Sequence, residues 1–151
     1  HTFDPLSFLN AIYYYLKPGG IVYIEVPNLD DALLKVYDSK TFKNIFYHIA
    51  HRWYFSSESL NKLMEKARFK GEIIFTQMYN VLNHMQWALV DKPMNLELAQ
   101  GTPNLPMADI APKEIKKDLQ KWIIDTDFAY KEILAKHGMT DQMTFLGRKK
   151  K

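Results

Sequence analysis

The stretch YYYLKPGGIVYIEVPN, Tyr13–Asn28, combines a helix end, a tight turn and a strand. Pro18 disfavours helical geometry in the residue before it, and the two glycines that follow supply a turn. Ile21–Val26 is then a short run rich in strand formers, and Pro27 ends it because proline cannot donate to a sheet ladder. An apolar run with so little alternation is typical of a strand covered on both faces. It therefore predicts a parallel or mixed sheet with helices around it.

Helices and strands alternate along the rest of the chain. Asp4 and Pro5 predict a helix start, because aspartate caps free amides and proline is tolerated in the first turn. A second strand is predicted over Glu72–Met78 and a short third strand over Met143–Leu146. The order of helix, strand, helices and strand predicts an α/β organisation.

The longest predicted helix runs from Pro112 to about His137 and follows a proline-rich loop, Asp91–Pro112. A loop of this length in a compact domain is usually functional or mobile. The helix carries its apolar side chains on or near one stripe, with charges opposite. That stripe consists of Ile115, Leu119, Trp122, Ile123, Ala129 and Ile133.

Composition narrows the class of protein. With 151 residues, 47% of them hydrophobic and 14% aromatic, the chain is one domain or a piece of a larger one with enough apolar side chains for a folded core. The absence of cysteine excludes disulfides and fits a reducing compartment. No apolar run approaches the ~20 residues that span a bilayer, so we expect a cytoplasmic protein without membrane contacts. The basic run Arg148–Lys151 is interpreted as a solvated tail and not as a nucleic-acid site.

Three segments carry a resemblance to a known family. They read FDPLSFLNAIYYYLKPGGIVYIEVPN at residues 3–28, HRWYFSSESLNKLMEKARF at 51–69 and AYKEILAKHGMTDQMTFLGRKK at 129–150. In this order they resemble the C-terminal half of class I S-adenosylmethionine-dependent methyltransferases, above all the type 23 group, which includes sugar C-methyltransferases. Ile21–Val26 would then be the family's fifth strand, next to the C-terminal strand. The chain departs from the family at Arg68, where a glycine is usual.

The resemblance implies an α/β fold, the C-terminal half of a Rossmann-like methyltransferase, with about three strands in a mixed sheet, flanking helices and a helical insertion. Residues 1–151 would form one partial domain, with the core at 1–78 and 128–150 and an acceptor-side cap at 79–127. The family's cofactor, S-adenosylmethionine, binds at a glycine-rich loop, whereas this chain has six glycines and no Gly-x-Gly. We therefore expect a fragment that lacks four strands and is inactive alone. Because unpaired strand edges tend to pair with another chain, it should self-associate or need a missing N-terminal half.

Two histidines are implied at the active site. His1 falls where the family has a histidine just after its fourth strand, and it is assigned to cofactor binding. His51 aligns with the histidine before the Phe-Ser helix start, and a neutral imidazole there can take a proton from the acceptor. Alternatively, His51 only caps a turn or bonds a backbone carbonyl. His48 lies three residues away, but without a third ligand we expect no metal site.

Five further residues are candidates for substrate binding. Glu25 and Asn28 sit at the carboxyl end of the first strand, where open α/β sheets place ligands. The alternatives are a solvated or paired Glu25 and an Asn28 that caps the following turn. Tyr54 belongs to an aromatic run that forms either a wall over a flat or sugar-like acceptor or part of the core. Asn83 and His84 share a polar helical face, which either recognises the acceptor or is a surface face.

Two functions of different classes follow. The resemblance implies a fragment of a methyltransferase that acts on a small molecule such as a sugar or nucleotide-sugar. The alternative is a non-catalytic interaction module that uses the sheet edge and the long helix as its docking surface. The reading frame upstream of His1 discriminates between them, since only the enzyme requires a glycine-rich strand–turn–helix there.

Overall fold

The computed structural model describes residues 1–149. These residues form three strands with helices between them, seven helices in all, which agrees with the α/β organisation predicted from the sequence. The elements are α1 (Pro5–Tyr15), β1 (Ile21–Pro27), α2 (Ala32–Lys35), α3 (Lys40–Phe46), α4 (Ser57–Lys66), β2 (Phe69–Thr76), α5 (Val81–Val90), α6 (Leu96–Ala99), α7 (Lys113–Lys136) and β3 (Gln142–Lys149).

The three strands form one antiparallel sheet in the order β1–β3–β2. β1 lies next to the C-terminal strand, so that prediction is confirmed. The prediction of a mixed sheet is wrong for the described strands, because β3 enters between β1 and β2 and runs opposite to both.

Within residues 1–149, helices cover one face of the sheet and leave the other open, so the expectation of a β1 strand buried on both faces is also wrong. Val22 is buried, whereas its neighbours Ile21 and Tyr23 are 55% and 61% exposed. The alternation was hidden in the sequence because the exposed positions carry strand-forming apolar side chains.

The turn before β1 needs both of its glycines. Gly19 has a φ of +77°, which glycine adopts without a steric penalty. A Cβ on Gly20 would lie 2.8 Å from both the Leu16 side chain and the Lys17 carbonyl oxygen. The turn also meets the end of β3, since the Lys149 amide donates to the Gly20 carbonyl at 2.9 Å.

The end of β3 corrects the interpretation of the C-terminal basic run. Arg148 and Lys149 are strand residues, and the Lys149 ammonium donates to the carbonyls of Tyr13 and Leu16 at 2.7 and 2.8 Å. Lysine at the end of a helix bonds its last carbonyls favourably. Lys150 and Lys151, the rest of the predicted tail, lie outside the described residues.

One apolar core joins the sheet to α1 and α4. It contains the buried side chains of Leu9, Val22, Leu60, Met64, Ala67, Phe69, Met143 and Phe145. Both helices begin at side-chain caps, because the Asp4 carboxylate accepts from two amides of α1 and Ser56 forms a capping box with Ser59. These caps and the core place the carboxyl end of β1 next to the start of α1.

α7 packs through a face different from its apolar stripe. Its buried residues are Ile123, Asp127 and Leu134, and of the stripe only Ile123 is buried. Trp122 and Ile133 are each 57% exposed. Within residues 1–149, no helix combines the length and the apolar composition that crossing a membrane requires.

Candidate functional site

A cavity of about 300 Å³ lies at the carboxyl end of β1, between that strand, α1, α4 and the loop 51–55. The loop is held there because the Leu29 amide donates to the Phe55 carbonyl at 2.9 Å. Three of the predicted site residues line this cavity, namely His1, Glu25 and His51. Open α/β sheets place their ligands at this end of the strands.

The two histidines at the cavity contact each other. The rings of His1 and His51 stack with centroids 5.1 Å apart, and the His48 ring lies 4.1 Å from that of His51. Partial removal from water, followed by the charge of His48, lowers the pKa of His51 below its ordinary value. Its imidazole is therefore neutral at neutral pH and able to accept a proton.

The backbone of His51 also agrees with the turn interpretation, because its amide donates to the His48 carbonyl at 3.1 Å. Within residues 1–149, no group of three histidine, aspartate or glutamate side chains has the arrangement of a metal site.

Glu25 borders the cavity as a residue of β1, with its side chain on the sheet face opposite to α1 and α4. Its carboxylate is exposed and accepts a hydrogen bond from the Tyr23 hydroxyl at 2.9 Å. On the opposite side, the Trp53 indole donates to the Thr2 carbonyl at 3.1 Å. That bond joins the loop 51–55 to the N-terminal segment, and so it keeps His1 beside His51.

Tyr54 lies behind the cavity wall. Its hydroxyl accepts from the His48 amide at 2.9 Å and donates to the Phe46 carbonyl at 3.1 Å. Its ring centroid is 6.0 Å from that of His51. Of the aromatic run, Trp53 and Phe55 line the cavity, and Tyr54 holds the loop that carries His51.

Asn28 is fully buried and acts as a structural link. Its side-chain amide donates to the carbonyls of Gly138 and Thr140 at 2.8 and 2.9 Å, and its Oδ1 accepts from the Asp30 amide at 3.0 Å. The structure thus shows the turn-capping alternative. Its role in substrate binding stays a prediction, since Asn28 does not line the cavity.

His84 and Asn83 are buried in α5, away from the cavity. The His84 ring nitrogens lie 2.9 Å from the Gln77 amide nitrogen and 2.8 Å from the Tyr130 hydroxyl. Burial lowers the pKa of His84 to about 4, so its imidazole is neutral. The surface-face alternative is wrong for both residues, and their substrate roles stay predictions.

These contacts belong to a polar network, which we define as Gln77, His84, Tyr130 and Asp141. The Asp141 carboxylate accepts from the amides of Met78 and Tyr79 at 3.0 and 2.9 Å and from the Gln77 side chain at 3.1 Å. Burial raises the pKa of Asp141 to about 6. Burial and the hydrogen bond with Tyr37 raise the pKa of Tyr130. Sequence reasoning missed three of the four, although Gln77 and Asp141 each flank a strand end.

The described residues do not by themselves fit S-adenosylmethionine. A nucleotide-like ligand needs glycines that allow close approach of the backbone, and none of the glycines lines the cavity. Gly19, Gly101 and Gly138 lie at positive φ in turns, and Gly71 and Gly147 lie within strands. Residues 1–149 therefore provide a cavity with two histidines but no glycine-rich cradle for the adenosine part.

Two comparisons with known proteins cover different shares of the chain. A family model described as a methyltransferase domain matches residues 1–72. A solved structure of a SAM-dependent methyltransferase from Archaeoglobus fulgidus is 16% identical in sequence and matches with a TM-score of 0.48. The match covers 97% of this chain and 54% of the chain in that structure.

The chain thus spans about half the length of that structure. Among proteins with curated functions, none shows a significant sequence match to this chain. The family match supports a methyltransferase as the class of protein, and it rests on residues 1–72.

Proposed function

We propose that this chain forms the acceptor-side half of an S-adenosylmethionine-dependent methyltransferase that acts on a small molecule. The observation that carries the proposal is the stacked pair of His1 and His51 at a cavity beyond the carboxyl end of β1. Both histidines and all the other residues that line the cavity lie in the segment that matches the methyltransferase-domain family. On the resemblance alone, the acceptor would be a sugar or nucleotide-sugar.

His51 is the proposed catalytic residue. Its lowered pKa supports a neutral imidazole that orients the acceptor and takes its proton. Glu25 is assigned to acceptor binding and His1 to cofactor binding. Tyr54 supports the loop that carries His51.

The remaining assignments concern the division of the chain. We assign 1–78 and 128–150 to the methyltransferase core and 79–127 to a cap on the acceptor side. Asn83 and His84 then belong to the cap. Asn28 links the end of β1 to Gly138 and Thr140, and its role in acceptor binding stays a prediction.

The cofactor's adenosine part requires residues outside 1–149, so we propose that the isolated chain is inactive. One edge of β1 has no partner strand among the described residues. Because such an edge tends to pair with another chain, a missing N-terminal half or a second copy would cover it.

Calorimetric titration with S-adenosylhomocysteine tests this proposal. We expect no measurable binding by the isolated chain, and micromolar binding would overturn the assignment of the cofactor site. If the upstream reading frame supplies a glycine-rich strand–turn–helix, the chain extended by that segment should bind S-adenosylhomocysteine. In that extended chain His51→Gln should lower the transfer rate by roughly 10²–10⁴-fold, the usual contribution of a general base. The exposed His137→Gln is the matched control.

Sedimentation of the isolated chain at low micromolar concentration tests the open edge. We expect association, and a compact monomer at that concentration would contradict the self-association proposal.

A non-catalytic interaction module is the second candidate. It is favoured by the exposure of Trp122 and Ile133 on α7 together with the free edge of β1. An upstream frame that encodes an unrelated domain, combined with a defined protein partner, would support it over the enzyme.

A further inference from the structure

The cavity at β1 is mainly apolar. Side chains from α1, β1, the loop 51–55 and α4 converge on it. The apolar lining includes Phe8, Leu9, Ile24, Phe55, Leu60 and Leu63. Pockets for small molecules are typically of this composition, with a few polar groups that fix the orientation of the ligand.

Two aromatic side chains flank the cavity without being covered. Phe8 is 53% exposed and Trp53 is 48% exposed. The Trp53 indole N–H is already bonded to the Thr2 carbonyl, so its ring offers an apolar surface to a ligand. Aromatic side chains of this kind gain contact area when a flat ring packs against them.

The polar groups of the lining are few. Besides Thr2, they are His1, Glu25 and His51, and the lining within residues 1–149 includes neither lysine nor arginine. A diphosphate would find no lysine or arginine in this lining to offset its charge. A sugar would bury several hydroxyl groups against leucine, isoleucine and phenylalanine, which costs free energy for each hydroxyl left without a partner.

We infer that the cavity takes a planar apolar ring that carries one hydroxyl group, an alkylphenol being the simplest example, with the hydroxyl at His51. The inference rests on the proposed function, and it replaces the sugar that the resemblance implies. Phe8 and Trp53 then contact the faces or edges of the ring, and Leu60 and Leu63 contact its alkyl substituent. A neutral His51 accepts the hydrogen bond of the phenolic hydroxyl.

Binding of two probes to the full chain tests the inference. Para-ethylphenol and methyl α-D-glucopyranoside are titrated into methyl-labelled protein, and the NMR shifts of Leu9, Leu60 and Leu63 are followed. We expect the phenol to shift these methyl groups and to bind at least about tenfold more tightly than the glucoside, since the cavity offers apolar contacts to the ring. A glucoside that binds as tightly, or a phenol that leaves these methyl groups unshifted, would overturn the inference.

Variants locate the site. Phe8→Ser should weaken phenol binding at least threefold, whereas Tyr14→Ser, which alters an exposed aromatic residue of the same helix outside the cavity, should not. His51→Leu should abolish the preference for para-ethylphenol over para-ethylanisole, which lacks the hydroxyl. Equal weakening by the Phe8 and Tyr14 variants would contradict the site.

Neither probe needs the cofactor, so the two proposals fail separately. Glucoside binding at the leucine methyl groups would leave the methyltransferase proposal standing and remove the aromatic acceptor. Phenol binding together with no affinity of the extended chain for S-adenosylhomocysteine would do the reverse.

Discussion

Two buried regions of this protein are held together by different physical means. Between the sheet, α1 and α4, the buried side chains are apolar, as at Leu60, Met64 and Phe69. Where β2 ends and α5 and α7 join the sheet, the buried groups are polar: the Gln77 side chain bonds both His84 and Asp141, and Asp141 also accepts from the backbone. The side chains of both regions are buried. The stability of the first region depends on how well apolar side chains fill its volume, and that of the second depends on matched hydrogen-bond donors, acceptors and protonation states.

The difference teaches which changes each region tolerates. Apolar contacts are non-directional, so a substitution is felt mainly through lost area and cavity volume. In a polar network, removal of one partner leaves the other buried without a hydrogen bond. The sheet should therefore be insensitive to pH and sensitive to truncation, while the attachment of α5 and α7 should respond to both.

The largest effect is expected for Phe69→Ala in the apolar core. Phe69 is 2% exposed, and such truncations cost about 3–5 kcal/mol in the free energy of unfolding. Urea denaturation followed by circular dichroism measures it. Ile74→Ala, on the exposed face of the same strand, should cost less than about 1 kcal/mol. Equal losses of stability would mean that the sheet face carrying Ile74 is buried as well as the face carrying Phe69.

Asp141→Leu should weaken the attachment of α5 by about 2–4 kcal/mol, because the amides of Met78 and Tyr79 lose their acceptor. Hydrogen exchange should accelerate at these amides and in α5 while β1 and β3 stay protected. Asp125→Leu, an exposed aspartate of α7, should change the free energy of unfolding by less than about 1 kcal/mol. Loss of protection throughout the sheet would contradict a separate polar attachment.

His84→Gln should change the pH dependence of stability. The folded state keeps His84 neutral down to about pH 4, so its contribution is full above the unfolded pKa of about 6.5 and is lost as pH falls below it. Relative to the unmodified protein, the variant should gain about 2 kcal/mol between about pH 7 and pH 5. Urea midpoints at each pH measure the difference, with His137→Gln as control.

Two buried carboxyl groups change the free energy of unfolding with pH in the direction opposite to His84. Both are present in the unmodified protein and in the His84→Gln variant. Burial raises the pKa of Asp31 to about 7 and that of Asp141 to about 6, so the folded state takes up protons from them as pH falls. They stabilise the fold at lower pH in both proteins, and the difference isolates His84. Parallel curves for the two proteins would disprove its burial in a neutral form.

Arg68 tests a backbone conformation in the apolar region. Arg68 has a φ of +68°, a conformation that favours glycine, and glycine is usual at this position in the family that the chain resembles. Its guanidinium lies 4.2 Å from the Tyr13 ring centroid. Arg68→Gly should be about 1 kcal/mol more stable than Arg68→Ala, because both lose the cation–π contact and only glycine removes the strain. Thermal denaturation measures the pair, and equal stabilities would argue against a left-handed residue 68.

The smallest effect is expected at Ile133. It is 57% exposed, so Ile133→Ala should change the free energy of unfolding by less than about 0.5 kcal/mol. Its neighbour Leu134 is 6% exposed, and Leu134→Ala should cost about 2–4 kcal/mol. The reverse order in chemical denaturation would place the apolar stripe of α7 against the core.

Much of the fold near β1 could be predicted from local sequence. Asp4, Pro18 and the two glycines act on their own neighbours through capping, backbone geometry and steric freedom. Of the residues predicted for the site, His1, Glu25 and His51 line one cavity, and their roles stay predictions. Asn28 was weighed between ligand and turn cap because a single polar residue after a strand suits both.

The sequence by itself determined where α1 and β1 begin, because capping and turn signals act within a few residues. It did not determine the start of β2, which begins at Phe69 and not at Glu72, or the short helix α6 inside the predicted loop. Only the tertiary structure decided which faces are buried, that β3 enters antiparallel between β1 and β2, and that Gln77, His84 and Asp141 meet. The stripe of α7 shows why. Helical periodicity marks an apolar face, but the partners of the helix decide whether that face meets the core. Here Tyr130 and Asp127 form hydrogen bonds to α5. These bonds turn Leu134 inward and leave Ile133 exposed to water.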